Sequence, residues 1–254
     1  MSTIDSGVTH PWSHASDEAS ALSRVEARLP TLLSVIAGMV DLIGFLTLGN
    51  IFTAHITGNL VVIAAVLVRG GPLNVAQALA IPVFMLGVAA TWLLASAWGR
   101  RGPGLTRLLL LIQFLLLGGL LTFSVITSPS VRPHGLMAGI AVMIAVSAMA
   151  CQFALLRLAL PGAPSTAVMT GNLTNTVLSL LDALSGSQPL RGGAIGRLRS
   201  SLHLLIGFLG GCVVAATAVS LLGDWAWSLP VALAGVAVGE VSLCTVKSSN
   251  GSKG

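Results

Sequence analysis

The chain has 254 residues, 54% of them hydrophobic and 8% charged, with a mean hydropathy of +0.92. Soluble globular domains carry roughly 25% charged residues, so this composition excludes that class and describes an integral membrane protein whose first partner is the lipid bilayer. A net charge of +5 would suit nucleic acid in a soluble chain, but here the 13 Lys and Arg lie almost entirely between apolar segments and Tyr is absent. They read as topology signals and exclude a nucleic-acid surface of basic residues interleaved with aromatics.

Residues 1–29 contain Asp17, Glu18 and Glu26, and no basic start leads into an apolar core, so they read as a polar N-terminal tail rather than a secretory signal. Leu22, Val25 and Leu29 could line a short surface helix in it. The membrane domain spans 30–246, and residues 247–254 form a second polar tail. Eight apolar segments fall near 31–49, 52–68, 76–98, 105–126, 134–158, 166–184, 201–222 and 228–246. The second and sixth fall short of the roughly 20 residues a spanning helix needs.

Those two short segments share a polar motif. "TAHITGNL", Thr53 to Leu60, recurs as "TAVMTGNL", Thr166 to Leu173, with six of eight positions identical. Val88-Ala89-Ala90-Thr91 recurs in the same order as Val214-Ala215-Ala216-Thr217, the surplus spacing falling in the Ser185–Arg199 loop. This predicts two four-segment repeats, 30–127 and 134–246. Overall the sequence predicts an all-α polytopic bundle of six to eight apolar segments, broken or re-entrant at the TGN motifs.

Charge arbitrates between six and eight crossings. If the first two segments together make one net passage, and the fifth and sixth another, ten cations share the N-terminal side: Arg24, Arg28, Arg100, Arg101, Arg107, Arg191, Arg197, Arg199, Lys247 and Lys253. Only Arg69 and Arg132 lie opposite. The positive-inside rule thus favours six passages with both termini in the cytoplasm of a bacterium, in its inner membrane, whereas segment length favours eight, since about 18 helical residues at 1.5 Å each nearly span the core. Three passages per repeat would make the halves inverted, a design found in many secondary transporters.

"AGMVDLIGFLTLGNIFTAHITGNLVVIAAVL", Ala37 to Leu67, resembles the first half of the YoaK family of bacterial membrane proteins, a domain of unknown function, and "MTGNLTNT", Met169 to Thr176, resembles its second half. The motifs are G-x-x-D, then TGN, then a second TGN, and the resemblance covers about residues 30–245. It implies a polytopic helical fold and no established activity. The family pattern implies a Gln-Asn pair where this chain has Gln152-Phe153.

The candidate site follows from polar groups placed in lipid. Thr57-Gly58-Asn59 and Thr170-Gly171-Asn172 are costly there unless each group finds a partner, and Thr or Asn as N-caps with a permissive Gly could open half-helices. Two such N-termini could face one central anion or carbonyl. The bland alternative is that the small residues allow close helix crossings, the reading preferred for Gly207-x-x-x-Gly211 and Gly235-x-x-x-Gly239. Asp41, about ten residues into the first segment, is the strongest single candidate, as a proton or cation site or as a structural acid capping the motif.

Arg157 is a candidate ion-pair partner for Asp41, or a snorkelling cation. His55, replaced by Val168 in the second motif, could relay protons with Asp41 or be a hydrogen-bonded structural histidine. Gln152 holds the place corresponding to Asp41, and Asn172, Thr174, Asn175 and Thr176 give the sixth segment a polar stripe. Cys151, Cys212 and Cys244 read as packing residues, and Trp92, Trp98, Trp225 and Trp227 as interfacial anchors.

No G-x-S-x-G, H-E-x-x-H or phosphate loop occurs, so the sequence predicts no enzyme, no cofactor and no metal. The functional expectation is a transporter or channel for a small solute or ion, coupled to protons, binding through Asp41, His55, Thr57, Asn59, Gln152, Thr170, Asn172 and Asn175. The alternative is a non-transport sensor or scaffold. A homo-oligomer is compatible with either.

Overall fold

The computed structural model describes residues 11–98, 103–160, 166, 169–185 and 192–251. Leu29, Leu33, Ile36, Ala37, Val40 and Ile43 recur every three or four residues, and this spacing buries one face of helix α1, Pro11–Thr47. The helix begins far upstream of its apolar part, because no Gly or Pro falls between Trp12 and Leu29 and four alanines favour propagation. The expected N-terminal tail is therefore helical from Pro11, and residues 1–10 lie outside the described residues.

The remaining helices are α2 (Ile56–Arg69), α3 (Val75–Trp98), α4 (Pro103–Thr127), α5 (Leu136–Ala159), α6 (Met169–Ser185), α7 (Gly192–Leu222) and α8 (Ser228–Gly251). Short 3-10 turns follow α4 at Pro129–Val131 and α7 at Gly223–Trp227. The described chain is all-α. Two boundaries move: α7 absorbs most of the stretch expected as the Ser185–Arg199 loop, and α8 runs through the expected C-terminal tail to Gly251.

Length separates the helices into two kinds. Apolar stretches long enough to cross a membrane lie in α1, α3, α4 and α5, and one 46-residue stretch, Leu198–Leu243, runs through most of α7 and into α8. By contrast α2 has 14 residues and α6 has 17. At 1.5 Å per residue these reach only about 21 and 26 Å, less than the ~30 Å of a hydrocarbon core.

Contacts at one end of the bundle fix the path. Gly49, just past α1, is so near the loop before α5 and the start of α3 that a Cβ on it would lie 2.7 Å from the Pro133 carbonyl and 3.2 Å from the Asn74 amide. After α4, Ser130 Oγ donates to Asp224 Oδ2 in the turn after α7 at 2.7 Å. The connections following α1, α2, α4 and α7 thus share one end. Eight alternating passages would send the connections after α2 and α4 to the end opposite Gly49, so the chain makes six net passages, and neither α2 nor α6 adds one.

Small residues set the helix crossings. α1 and α7 run parallel, with Ser34 Oγ donating to the Leu204 carbonyl at 2.7 Å. A Cβ on Gly207 would stand 3.2 Å from the Thr31 carbonyl, and one on Gly38 or Gly211 would collide with the carbonyl of Phe208 or Val35. α3 and α5 also run parallel, Gly87 facing Ala150 and Gly139 facing Ala76. Gly207 and Gly211 are therefore crossing residues, as their spacing suggests; Gly235 abuts the Phe114 ring of α4, whereas Gly239 has no neighbour within 4 Å.

The pairings form a pattern. α1 packs on α7 and α5 on α3; α2 leans on α3 and α6 on α7; α4 packs on α5 and α8 on α1, with α4 and α8 in mutual contact. Exchanging the first four helices for the last four reproduces it. α1 and α5 are central, 67% and 72% of their spanning windows being buried against 11% for α3. Trp92 and Trp225 are exposed, as interfacial anchors are, but Trp227 is fully buried within the turn after α7, so its indole packs the bundle instead of the interface.

Candidate functional site

The site is made where α1 ends and the chain doubles back. Gly49 and Asn50 have φ of +83° and +59°, a left-handed pair that reverses the chain. Residues 48–55 then descend beside α1, and Gly44 admits them: a Cβ there would lie 2.8 Å from Thr53 Cγ2. This brings three consecutive backbone N–H groups to Asp41. Oδ1 of its carboxylate accepts the N–H of Thr53 and of Ala54, both at 2.8 Å, and more distantly that of His55 at 3.4 Å.

The other carboxylate oxygen, Oδ2, lies 2.7 Å from His55 Nδ1. The Asp41 side chain is 7% exposed and that of His55 30%. Asp41 is thus paired, and its partner is His55 rather than Arg157, which stands exposed near the end of α5 as a snorkelling cation would. The His55 ring also meets Phe208 of α7 edge-on, centroids 5.0 Å apart. Thr53 Oγ1 adds a bond to the Val40 carbonyl at 3.1 Å, so every polar group of the descending loop nearest Asp41 is tied to α1.

The TGN motif works differently from the capping role its composition suggests. His55 occupies the N-cap of α2 and makes no side-chain cap bond, while Thr57 is exposed. The Asp41 carboxyl group of α1 instead binds the N–H groups of Thr53, Ala54 and His55, just ahead of the helix rather than in its first turn. Asn59, wholly buried in the first turn of α2, reaches backward: its Nδ2 donates to the Phe52 carbonyl at 2.8 Å and its Oδ1 accepts the Phe52 N–H at 2.9 Å. Gly58 leaves room for the Phe52 ring, which a Cβ would approach to 2.9 Å, and Phe52 also stacks against Phe45 at 4.9 Å.

The second motif is placed less polar side inward. Asn172 is buried, with Nδ2 4.0 Å from Met169 Sδ, and its carbonyl accepts Thr176 Oγ1 at 2.8 Å. Thr170, Thr174 and Asn175 are exposed on the other side of α6. Thr166, the counterpart of Thr53, is buried with an unpartnered Oγ1. Val168 lies outside the described residues. α2 and α6 share no substantial interface, so Asp41, His55 and Asn59 form one cluster and Thr170, Asn172 and Asn175 stand apart from it.

Gln152 belongs to neither cluster. It links three helices: Gln113 Nε2 of α4 donates to its Oε1 at 2.6 Å, and its own Nε2 donates to the Leu33 carbonyl of α1 at 2.9 Å. Phe153, at the position where the family pattern carries Asn, instead faces Phe84 across the α3–α5 contact, centroids 6.0 Å apart. Gln113 and Phe208 are the residues that sequence reasoning passed over. Gln113 could have been noticed as the single polar side chain within Leu108–Leu117. Cys151 and Cys212 contact the carbonyls of Leu109 and Gly38, as packing residues do.

A helical bundle whose first pass is broken by a re-entrant loop, with that loop pinned through a buried carboxylate, defines a polytopic transmembrane protein. The chain belongs to the family described as Protein of unknown function (DUF1275), which matches residues 29–239. It is 32% identical over 163 residues to the UPF0700 transmembrane protein YoaK of Bacillus subtilis (strain 168), the match covering 62% of this chain and 67% of the relative. No solved structure matches.

Proposed function

We infer that the protein is a proton-coupled transporter or channel for a small solute or ion, lying in the bacterial cytoplasmic membrane with both termini inside. The observation that carries this reading is the 2.7 Å contact between Asp41 and His55 within the apolar bundle, the imidazole being 30% exposed and the acid 7%. An acid and a base in hydrogen-bond contact at membrane depth are expensive to maintain, which is why such residues mark ion and proton pathways. A neutral His55 can donate Nδ1–H to Oδ2 and keep Nε2 as its basic atom, so Nε2 is where a proton arrives or leaves without breaking the Asp41 contact. The interchange of helix pairings between the two halves supports an inverted duplication, the architecture of many alternating-access carriers.

Reconstituted vesicles containing a trapped pH indicator, challenged with inward gradients of a solute panel, test this. At least one solute should acidify the lumen with wild-type protein. His55→Gln, which keeps a donor for Asp41 but has no titrating nitrogen, should abolish the acidification. Absence of proton movement with every solute, or full movement in His55→Gln, would remove the reading.

A second reading has its own observation. Oδ1 of Asp41 and both ends of the Asn59 amide are occupied by the chain's own backbone. A non-transport sensor or scaffold would need the loop locked in this way and nothing more. In that case Asp41→Asn, which preserves the Oδ1 acceptor, should be silent in every functional assay.

A further inference from the structure

At the end of the bundle that carries Gly49, a groove between α2, α3 and α5 has apolar walls, among them Val62, Val66, Val75, Leu79 and Ile140. Exchanging the first four helices for the last four sends this place to the opposite end, between α6, α7 and α1. The side chains there are of another kind. Counting from the two TGN motifs, Val62 and Val66 correspond to Asn175 and Ser179. For the long helices the packing gives the register, since Gly87 of α3 sits on Ser147 of α5 as Gly211 of α7 sits on Val35 of α1. That register, not the Val-Ala-Ala-Thr match, is the one the contacts follow. About two turns before those anchors, Leu79 corresponds to His203 and Ile140 to Arg28, and about a turn further Val75 corresponds to Arg199.

These groups share one level. Thr31 faces Gly207, and Ser34 donates to the Leu204 carbonyl, so Arg28, one turn before Thr31 on the same face, comes level with residues 200–203. Arg28 and Leu198 open the apolar stretches of α1 and α7, which puts Arg28 and Arg199 at the edge of the hydrocarbon. Arg28, Asn175, Arg199 and His203 are exposed, and none makes a hydrogen bond or ion pair with a described residue. Two guanidinium groups without a counter-charge repel each other, and a phosphate between them would accept charge-assisted hydrogen bonds from both. Exposed Leu178 of α6 and Leu202 and Ile206 of α7 continue from them along the helices as a track for acyl chains. An anion without chains would leave that track unused.

We propose that this crevice binds one anionic phospholipid, its phosphate on Arg28 and Arg199 beside His203, and an ester carbonyl accepting from Asn175 Nδ2. Basic pockets between transmembrane helices recognise such headgroups. In the orientation proposed above the lipid belongs to the cytoplasmic leaflet. The groove at the other end is lined by no Lys or Arg and has no such preference. Neither Asp41 nor His55 takes part, so the site stands whether or not the protein moves protons.

Native mass spectrometry of the full-length protein in detergent tests this, with dioleoyl phosphatidylglycerol and dioleoyl phosphatidylethanolamine titrated separately. The first phosphatidylglycerol should bind about tenfold more tightly than the first phosphatidylethanolamine. Arg28→Gln and Arg199→Gln should each weaken it about fivefold, the worth of one cation near an anionic headgroup, and so erode the preference. Asn175→Leu should weaken both lipids about fivefold and keep the preference, because both carry the ester. Arg132→Gln and Arg157→Gln, which remove exposed cations outside the crevice, should change binding less than about twofold. All five positions are exposed, so every variant should melt as wild type does without lipid. Millimolar glycerol 1-phosphate should leave the lipid bound. Displacement of the lipid by glycerol phosphate would assign the crevice to a free anion, and equal binding of the two lipids would remove the charge recognition. Losses in Arg157→Gln as large as in Arg28→Gln would leave only a diffuse basic surface. Each of these results overturns the proposal.

Discussion

Replacing Asn59 by Ala isolates what the TGN motif does. The side chain is wholly buried, and it satisfies the N–H and the C=O of one residue, Phe52, at 2.9 and 2.8 Å. Ala leaves both backbone groups without a partner beside α1. An orphaned buried group costs about 1–3 kcal/mol, and partial hydration of half-buried Phe52 lowers the sum, so the loss should be about 2–4 kcal/mol. For a chain of this size, each kcal/mol shifts melting by roughly 2–4 °C, giving a drop of roughly 5–15 °C. Thermal melting of detergent-purified protein reads the loss, with amide hydrogen exchange at Phe52 reporting whether the loop is the part that opens. Thr57→Ala is the control: Thr57 is exposed, and its change should move melting by less than about 2 °C. Equal losses for the two variants, or a normal melting point with protected exchange in Asn59→Ala, would refute the clasp.

Asp41 offers a sharper separation of roles: Asp41→Ala strips the acceptor from three N–H groups and should lower stability by about 3–5 kcal/mol, whereas Asp41→Asn keeps Oδ1 and should stay within about 1 kcal/mol of wild type. Chemical unfolding of the two variants side by side checks this, and equal losses would mean that charge rather than acceptor geometry holds the loop. At the α1–α7 crossing, Gly211→Ala should destabilise by about 1–3 kcal/mol, because its Cβ meets the Val35 carbonyl. Gly210→Ala, with nothing within 4 Å, should gain about 0.5–1 kcal/mol from helix propensity; the reverse order in melting experiments would contradict the crossing geometry. In a cysteine-free background, single cysteines at Gly71 and Ser130 should react with an impermeant maleimide from one side of the membrane and a cysteine at Gly196 from the other. Labelling of Gly71 and Ser130 from opposite sides would contradict six passages.

Much of the architecture was legible because the bilayer restricts the choices. Apolar segment lengths located the helices, but the ten-to-two distribution of cations favoured six passages while segment length favoured eight, and it is the meeting of Gly49, Asn74 and Pro133 that fits six. Helix ends were less legible, since residues 12–29 carry charge but neither Gly nor Pro, and α1 runs through Pro30 to join them to its apolar part. Asp41 could be singled out from the cost of an acid in lipid, and the sequence offered two partners for it, Arg157 and His55, without deciding between them. Arg157 is the obvious complement by charge, whereas the geometry that selects His55 depends on a chain reversal at Gly49 and Asn50 that brings residues 14 positions apart into contact. The roles of Thr57 and Asn59 were inverted for a related reason. Capping rules describe a helix that begins alone, whereas α2 is entered through a loop whose N–H groups bind a carboxyl group of another helix, and Asn59 turns back onto that same loop.

The two carboxylate oxygens of Asp41 divide the labour, and this reconciles the staple with the proposed proton site. Oδ1 is bound to backbone N–H groups that cannot titrate, so the loop stays fastened whatever the state of His55. Oδ2 faces the one ring nearby that can change charge. A staple alone would be equally well made by Asn, which has the same acceptor oxygen and carries no charge into the bilayer; it is the second contact, to His55, that gives the ionisable acid a use. The other half of the chain sharpens the contrast. There the place of His55 is held by Val168, and the candidate amide Gln152 is bound to Gln113 and to the Leu33 carbonyl. The halves therefore share a packing plan without sharing the chemistry: among the described residues, the acid–base contact that the proposed proton site needs lies in the first half.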